Sequence, residues 1–409
     1  MQYTRENLLM CSWNRWANWV CGGIAAILCF RWTSAYFSYA MILFLLFVIA
    51  DLFFNRPIGL RSTIRSFMGT RFLFYGLVIF YGILFFISVL LGDLSDINKA
   101  IEYGAFVLPF FMIVYLGVRY HIQEGFQWGI FAGGSLNCGY AIFVQYLNQP
   151  NIRLESVFAS PNHFGMILEM LIPFYFYFGW AQNRIWKKTG YVILVVTALF
   201  CLYHTGSRGA IIALVGAIVG TCVIAVWMGR KQIKGKVVVC IFLFAIAIAS
   251  SGAGILMHLN ENRDGWGKDG GERQIMIEAS YEMWKEHPWL GVGLAHWQEN
   301  YYSEQYHPKG GREQNLGMPH NMPAYFFSTA GIWGGMGYLL FLGETFLSLL
   351  RSYGWQKSPL LFSTICMVFF AFTLHGLVDG TIIHRIPSRI YFFLLGFYFV
   401  ALSYRNKKS

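Results

Sequence analysis

The sequence feature that most constrains the fold is a series of apolar runs, each close to the about 20 residues that a helix needs to cross a bilayer. With 56% hydrophobic and only 12% charged residues among 409, the composition is typical of a membrane protein with many spans. We therefore predict an all-α membrane protein with about 12 transmembrane helices. The predicted spans are residues 16–31, 33–54, 72–92, 101–119, 126–147, 161–181, 189–204, 208–228, 237–257, 323–350, 359–379 and 387–404.

These spans form one integrated membrane domain with a single long interruption. Residues 1–257 hold the first nine helices, residues 258–319 form an extracytoplasmic loop, and residues 320–409 hold the last three helices. Most of the 31 lysines and arginines lie in the two tails and in alternate short connections. The positive-inside rule then predicts cytoplasmic termini and a loop on the periplasmic or exterior face of the cytoplasmic membrane. The net charge of +11 follows this topology, so nucleic acid is not expected as a partner.

The long loop contains a predicted amphipathic helix over Glu272–Glu286. Its apolar residues recur at helical spacing: Ile275, Met276, Ala279, Met283 and Trp284. The pair His287-Pro288 ends the helix, and Gly291 and Gly293 make a turn. The helix either lies on the membrane surface or packs over the helical bundle.

The cysteines and histidines offer no pattern typical of a metal site. Nearly all of the eight cysteines lie in apolar runs, where they serve as small core hydrophobes, and no CxxC spacing occurs. The histidines of the outer loop region lack the HxH, HxxxH and HExxH spacings of zinc sites. We predict no metal, no cofactor and no disulfide framework.

The candidate catalytic residue lies where the loop meets a helix, in the segment GMPHNMPAYFF. His320 and Asn321 stand between Pro319 and Pro323, which restrict the backbone on both sides and suit a helix start. A histidine fixed at a membrane boundary can reach both a lipid-borne and a water-borne substrate. The other interpretation is that the two polar residues only cap the helix.

A second candidate is Arg208 in YHTGSRGA, at the start of the apolar run IIALVGAIVG. The small residues before and after it, including Ser207, allow close backbone approach. A guanidinium beside the exposed N–H groups of a helix N-terminus suits a phosphate oxyanion. The alternative is an arginine that only anchors the helix at the lipid headgroups.

A third basic candidate is Arg273, at the predicted start of the amphipathic helix. An arginine there opposes the helix dipole, which suggests that it binds an external anion. Pairing with Glu272, Glu278 or a lipid phosphate is the alternative. A site on the outward face cannot use cytoplasmic ATP or nucleotide-sugars directly, so its substrate must arrive already activated or its energy must come from an ion gradient.

Further polar groups of the outward face are candidates to line the same cavity. Arg153 and Asn162 flank another helix start, where Asn162 has capping as its alternative role. Asp379, His384 and Arg385 lie in a late connection. There the aspartate either holds the neighbouring arginine or the candidate histidine in place, or forms a surface pair of little energetic weight.

In this order, these segments resemble the O-antigen ligase and O-antigen polymerase superfamily of bacterial membrane glycosyltransferases. The segments that carry the resemblance are SVFASPNHFG, TGSRGAIIAL, GERQIMIEAS with HPWLGVGLAHW, PHNMPAYFFSTAGIWGGMGYLLF and LVDGTIIHRIPSR, within about residues 155–390. The family's essential arginine of the T-x-[ST]-R motif falls on Arg208, its outer-loop arginine on Arg273, and its H-N histidine on His320. Met318 stands where ligases often have a second histidine.

The resemblance implies transfer of a glycan from a polyprenyl (undecaprenyl) diphosphate carrier. In ligases the acceptor is a sugar of the lipid A core, in lipopolysaccharide biosynthesis; in polymerases it is another polyprenyl-linked repeat unit. We predict a ligase-like, metal-independent, inverting glycosyltransferase whose arginines stabilise the leaving diphosphate and whose neutral histidine accepts the acceptor's proton. The alternatives are a polymerase and, from another class, a secondary transporter of a small anion or solute, whose polar site would lie near the bilayer midplane.

Overall fold

A computed structural model of the protein describes residues 5–31, 33, 35–55, 71–229, 266–306 and 316–406. In these ranges all regular structure is helical, which confirms the all-α prediction. The helices are α1 (Arg5–Cys29), α2 (Tyr36–Phe54), α3 (Arg71–Leu91), α4 (Leu94–Ala105), α5 (Leu108–Arg119), α6 (Gln123–Tyr140), α7 (Pro161–Ala181), α8 (Ile185–His204), α9 (Arg208–Gly229), α10 (Trp266–Glu286), α11 (Trp297–Tyr301), α12 (Met322–Arg351), α13 (Gly354–Lys357), α14 (Pro359–His375) and α15 (Arg385–Asn406). A π-helical turn, Ala141–Tyr146, continues α6.

Eight stretches among the described residues are long and apolar enough to cross a membrane. The predicted number of 12 is not confirmed, although helices cover eleven of the predicted spans. The span at 237–257 lies outside the described residues, as do the loop residues 258–265 and 307–315. The predicted span 101–119 belongs to two helices, α4 and α5, which together form one of the eight stretches.

Helices α1 and α6 are not among these eight stretches, because their sequences contain the polar and glycine residues through which they pack on each other. Glycines of α6 lie directly against the backbone of α1: a Cβ added to Gly125 would lie 2.0 Å from the carbonyl oxygen of Asn18, and one added to Gly129 would lie 2.3 Å from that of Gly22. The side chain of Asn18 also accepts a hydrogen bond from the amide of Gly125 at 2.7 Å. The polar and glycine residues that lower the hydropathy therefore make this helix pair.

Two helices occupy the centre of the bundle, and their N-terminal ends carry the candidate site. Within the protein, 83% of the apolar stretch of α7 and 89% of that of α15 is buried, compared with 17% for α2. Helix α2 instead exposes large apolar side chains such as Leu46, Ile49 and Phe53, a face that a bilayer would cover. The residues that precede α7 and α15 are thus attached to the two most buried membrane-length helices of the described part of the chain.

The cysteines with described side chains are small core residues, as predicted. Cys21, Cys29, Cys138, Cys201, Cys222 and Cys366 are all free, and all but Cys222 are buried. Cys11 and Cys240 lie outside the described side chains.

The described part of the long loop packs onto the bundle, so of the two predicted positions for its amphipathic helix this one is observed. Helix α10 contacts α12 and buries Met276, Ala279 and Met283. It begins at Trp266, earlier than the predicted Glu272, and ends before His287 as predicted. Its apolar stripe therefore joins the core of the bundle.

The segment 288–293 fills a break in α12. At Ala330 and Gly331 the backbone of α12 leaves the helical conformation, and Gly331 has a φ of 63°. Two amides of the loop satisfy the carbonyls that the break leaves open: Val292 N donates to Ser328 O, and Gly293 N to Thr329 O, both at 2.9 Å. The loop is thereby fixed to the helix that begins directly after His320 and Asn321.

We expect Gly291→Ala to destabilise this junction strongly. Gly291 has a φ of +71°, and a Cβ there would lie 2.4 Å from the carbonyl carbon of Thr329. A left-handed backbone and an overpacked contact together cost about 2–5 kcal/mol. Thermal unfolding of the purified protein checks this, with Gly343→Ala as the matched control because no atom lies within 4 Å of a Cβ at Gly343. Equal melting temperatures for the two variants would contradict the proposed role of this junction.

The long loop is also tied to the turn between α3 and α4 through His296. Its Nε2 lies 3.1 Å from Asp93 Oδ2, and its Nδ1 lies 2.9 Å from Glu299 Oε2. The hydrogen bond with Glu299 and the charges of Asp96 and Asp93 raise the pKa of His296, against partial burial, which lowers it. The protonated ring therefore joins the loop to the turn.

The raised pKa of His296 predicts that this tie is strongest in acid. A group whose folded-state pKa is raised stabilises the fold fully below its unfolded value, near 6.5, and loses that contribution as the pH rises through the folded value. We expect the melting temperature of wild type to exceed that of His296→Gln most clearly at about pH 5.5. This difference in melting temperature should shrink toward about pH 8.5. A gap that widened in alkali would show that the ring acts as a neutral group.

Candidate functional site

Four helix N-termini meet at one end of the bundle, those of α7, α9, α12 and α15. The contacts that bring them together come from the segments just before these helices, which are the segments that the sequence marked as polar. A helix N-terminus exposes unpaired N–H groups and carries the positive end of the helix dipole. The meeting of four such ends favours a negatively charged ligand.

A chain of hydrogen bonds crosses these helix starts. Arg153 donates from Nε to the carbonyl oxygen of Thr205 at 2.7 Å and from Nη2 to Asn162 Oδ1 at 2.9 Å. Asn162 donates from Nδ2 to Asp379 Oδ2 at 3.0 Å, and Asp379 Oδ1 lies 2.8 Å from His320 Nδ1. The structure thus brings together the predicted residues Arg153, Asn162, Asp379 and His320. Ser160, and not Asn162, caps α7, so the capping alternative for Asn162 is wrong.

The carboxylate of Asp379 fixes which ring nitrogen of His320 carries the proton. Burial raises the pKa of Asp379, but the hydrogen bond with His320 and the nearby His375 and His384 outweigh it and hold the pKa well below its usual range. The ionised group can only accept, and it also accepts from Gly380 N at 2.7 Å. His320 Nδ1 must therefore be the donor, and in the neutral ring Nε2 is left as an acceptor. The His320 side chain is 25% exposed, so a substrate can reach it.

The backbone directly before α12 holds His320 in an uncommon conformation. His320 has a φ of 49°, in the left-handed region that non-glycine residues rarely adopt. Asn321 caps α12, because its Oδ1 accepts from Ala324 N at 2.9 Å, and its Nδ2 donates to the Leu377 carbonyl at 2.9 Å. The capping interpretation is therefore right for Asn321. The same side chain also joins the start of α12 to the segment that carries Asp379.

Arg208 is the first residue of α9, at the predicted position. Ser207 caps the helix through a 3.4 Å hydrogen bond from Ala210 N to its Oγ. Gly209 allows the close approach that the small residues predicted, since a Cβ there would lie 3.0 Å from His375 Nε2. The basic residue and the positive end of the α9 dipole thus share one helix start.

Sequence reasoning missed a buried pair next to this helix start. Glu169 Oε2 lies 2.8 Å from His375 Nδ1, and both side chains are only 1% exposed. An ionisable residue inside an apolar span is unusual, so Glu169 alone carried a signal, but its partner follows only from the packing of α7 on α14. The pair joins the helices that present Asn162 and Asp379.

Arg273 lies inside α10 and does not open it, so the helix-dipole argument for this residue is wrong. The helix already runs through Gly270 and Gly271, before the predicted start at Glu272. The charge of Arg273 nevertheless acts electrostatically on His375, whose ring lies against Gly209 in the first turn of α9.

The connection between α14 and α15 ends in two residues with different surroundings, His384 and Arg385. His384 lies beside Asp379, with 4.0 Å between Nε2 and Oδ1, and its ring lies 4.2 Å from that of His163. Burial lowers the pKa of His384 to about 3, so the ring is neutral near pH 7. Arg385 is 68% exposed and pairs with Glu102. Of the two residues predicted to partner Asp379, the structure therefore pairs it with His320 and not with Arg385.

Met318 occupies the position of the second ligase histidine and packs close to the site. A Cβ added to Gly380 would lie 2.5 Å from Met318 Sδ, directly beside Asp379. The methionine is buried and supplies no titratable group there. Within the described ranges, no group of three or more His, Cys, Asp or Glu side chains could hold a metal ion.

These observations define an integral membrane protein with an aspartate–histidine pair and arginines at the ends of its helices. Residues 193–339 match the family model of the O-antigen ligase family, a group of membrane glycosyltransferases. This match confirms the resemblance to the O-antigen ligase superfamily. The matched range contains Arg208, Arg273 and His320 but ends before Asp379. No curated protein matches the chain.

Proposed function

We propose that this protein transfers a glycan from a polyprenyl (undecaprenyl) diphosphate to a lipid-linked sugar acceptor on the outer face of the cytoplasmic membrane. The observation that carries the proposal is the His320–Asp379 pair, held at 2.8 Å where four helix N-termini meet. An anionic leaving group and a base are the two requirements of this reaction. One end of the bundle offers both.

The leaving group is the diphosphate of the carrier. As the glycosidic bond to the diphosphate breaks, its electron pair passes to the bridging oxygen. Arg208, at the start of α9, and Arg273, on the same side of the bundle, are the groups that would stabilise this charge, with the helix dipoles adding to them. The remaining predicted contacts, Ser207, Arg153 and Asn321, hold the loops around this position.

The acceptor hydroxyl attacks the anomeric carbon and loses its proton to His320 Nε2. Asp379 keeps Nδ1 protonated and stabilises the imidazolium that forms, in the manner of other aspartate–histidine pairs. A single displacement inverts the anomeric configuration. In this proposal no nucleotide or metal takes part, because the arginines provide the positive charge.

Product size tests the proposal and separates its two forms. Purified protein receives a labelled polyprenyl-diphosphate glycan with lipid A core, or with no added acceptor. We propose the ligase reaction, in which one glycan joins the core and no product forms without it. A ladder of longer polyprenyl-linked glycans without core would instead identify a polymerase, the form that Met318 in place of a second histidine favours. No transfer to either acceptor would reject both.

The helix break in α12 favours transfer over transport. A secondary transporter uses broken helices to bind its substrate near the bilayer midplane. Here the break at Ala330 and Gly331 is filled by amides of the protein's own outer loop. The hydrogen-bonded site lies instead at helix ends, where two membrane-anchored substrates can meet.

The outward orientation of the site is testable by tag accessibility. Tags at residues 60, 186, 233 and 354 are expected in the cytoplasm, and tags near residues 265 and 310 outside, because the lysines and arginines follow that pattern. Labelling of intact cells with a membrane-impermeant reagent reports each position. An exterior tag at 233 together with a cytoplasmic tag at 310 would reverse the topology and remove the outward site.

A further inference from the structure

A guanidinium that the proposed reaction does not use lies at the same end of the bundle. Arg389, in the second turn of α15, stacks with its guanidinium carbon 3.7 Å from the centre of the Phe37 ring and 5.4 Å from that of Phe106. Its Nη1 donates to the hydroxyl of Tyr36 at 3.2 Å. Stacking of this kind fixes the plane of the guanidinium and leaves N–H groups on its edge for an acceptor.

Two buried polar atoms in this region have no partner among the described residues. They are Nε of Arg389 and Oγ1 of Thr33, in the turn that leads into α2. In the described part of the chain, no ion pair involves Arg389 or Arg31. Buried donors are almost always satisfied, so an orphaned guanidinium N–H leaves a place for an acceptor that the described residues do not supply.

Arg31 adds a second positive charge to this position. It acts electrostatically on the hydroxyl of Tyr36, as Arg389 does, and also on the ring of His163. His163 in turn lies against His384, which is beside Asp379. His163 and His384 therefore link the position on which the charge of Arg31 acts to Asp379 of the catalytic pair.

We propose that Arg31 and Arg389 form a second oxyanion site, which binds a phosphate group on the lipid anchor of the acceptor. This inference rests on the proposed function, because it needs a second lipid-linked substrate. The first basic group, Arg208, is joined to Asp379 through the loop at Thr205 and Arg153, whereas the second reaches Asp379 through His163 and His384. In this proposal His320 has an anion site on one side for the leaving diphosphate and a second anion site on another side for the phosphate of the acceptor.

The chemistry of the cluster favours a phosphate over other anions. A phosphate has several oxygens that accept charge-assisted hydrogen bonds, so it can bind Arg389 Nε and Arg31 with different oxygens. Such a contact is noncovalent, and no bond changes at this site. Charge-assisted hydrogen bonds of this kind typically change affinity by about 10- to 100-fold.

The test uses matched acceptors with and without their phosphate groups. Full-length protein in zwitterionic nanodiscs receives a fixed, saturating labelled donor and either the phosphorylated lipid A core or the same lipid after phosphatase treatment. If the acceptor is a polyprenyl-linked repeat, the pair is the diphosphate and the corresponding polyprenyl alcohol. For wild type we expect a KM for the phosphorylated acceptor about 10- to 100-fold below that for the other.

Three variants and one control locate the effect. Arg389→Gln and Arg31→Gln should raise KM for the phosphorylated acceptor by about 10-fold or more, leave KM for the donor unchanged, and barely affect the dephosphorylated acceptor. Arg389→Lys should fold more readily but remain impaired, because it keeps the charge and loses the planar fork. Lys99→Gln removes a positive charge that pairs with Glu102 and should match wild type.

Each other outcome overturns the inference. Equal KM values for the two wild-type acceptors would exclude an acceptor phosphate at this site. If the variants changed only the response of the rate to added anionic phospholipid, the ligand would be a bilayer headgroup. Wild type that transferred no glycan at all would instead reject the proposed function itself, which keeps the two failures distinct.

Discussion

His320→Gln is expected to lose glycan transfer as completely as His320→Ala, by about 10²–10⁴-fold in rate. Glutamine keeps a hydrogen-bond donor for Asp379 but cannot take a proton at neutral pH. If His320 only oriented the acceptor or the diphosphate, glutamine would retain much of the rate. The measurement is the initial rate of transfer with purified, correctly inserted protein at saturating donor and acceptor.

The control for this pair is His287→Gln, which changes an exposed histidine of the outer loop and should match wild type. Asp379→Asn provides a second reading of the same mechanism. An amide can present either oxygen or nitrogen to His320 Nδ1, so the ring is no longer fixed with Nε2 as its acceptor. A His320→Gln enzyme within a few-fold of wild type would reject the base role and leave only orientation.

Arg208→Lys is expected to lose about 10²–10³-fold in rate while inserting normally. Lysine keeps the charge at the start of α9 but loses the planar fork that can bind two phosphate oxygens at once. Arg273→Ala should weaken the use of the donor, because it removes one positive charge from the same side. Transfer is measured as a function of donor concentration, so that binding and rate are separated.

Arg184→Lys is the matched control, because Arg184 is an exposed arginine before α8, in a connection predicted to be cytoplasmic. It should leave both the rate and KM unchanged. Wild-type rates for both Arg208→Lys and Arg273→Ala would reject the role of the arginines at the diphosphate. A loss that appeared equally in Arg184→Lys would indicate a general requirement for arginine in folding.

The helices and the helix start after His320 were predictable because their sequence signals are local. Apolar runs define the spans, and the prolines around His320 define a helix start. The start of α10 was predicted too late because its apolar stripe, the only periodic signal, begins at Ile275, whereas the helix begins at Trp266.

The partners of the polar side chains were less predictable, because they depend on which helix ends lie side by side. Asp379 had two candidates, and only the packing of α7, α12 and α15 selects His320 and adds Asn162. The buried pair of Glu169 and His375 joins residues far apart in the sequence. No periodicity carries such information, since it reports the face of a helix and not its neighbour.

The most direct test of the central mechanism is the dependence of transfer on pH, measured with purified wild type, His320→Gln and Asp379→Asn. The mechanism requires a neutral imidazole with Nδ1 bound to an ionised Asp379. It predicts that the wild-type rate falls as the medium is acidified through the range in which histidine gains a proton, while the residual rate of His320→Gln shows no such fall. Asp379→Asn should be slow at every pH. A wild-type profile that is flat through this range, or one that His320→Gln reproduces, would contradict proton transfer to His320.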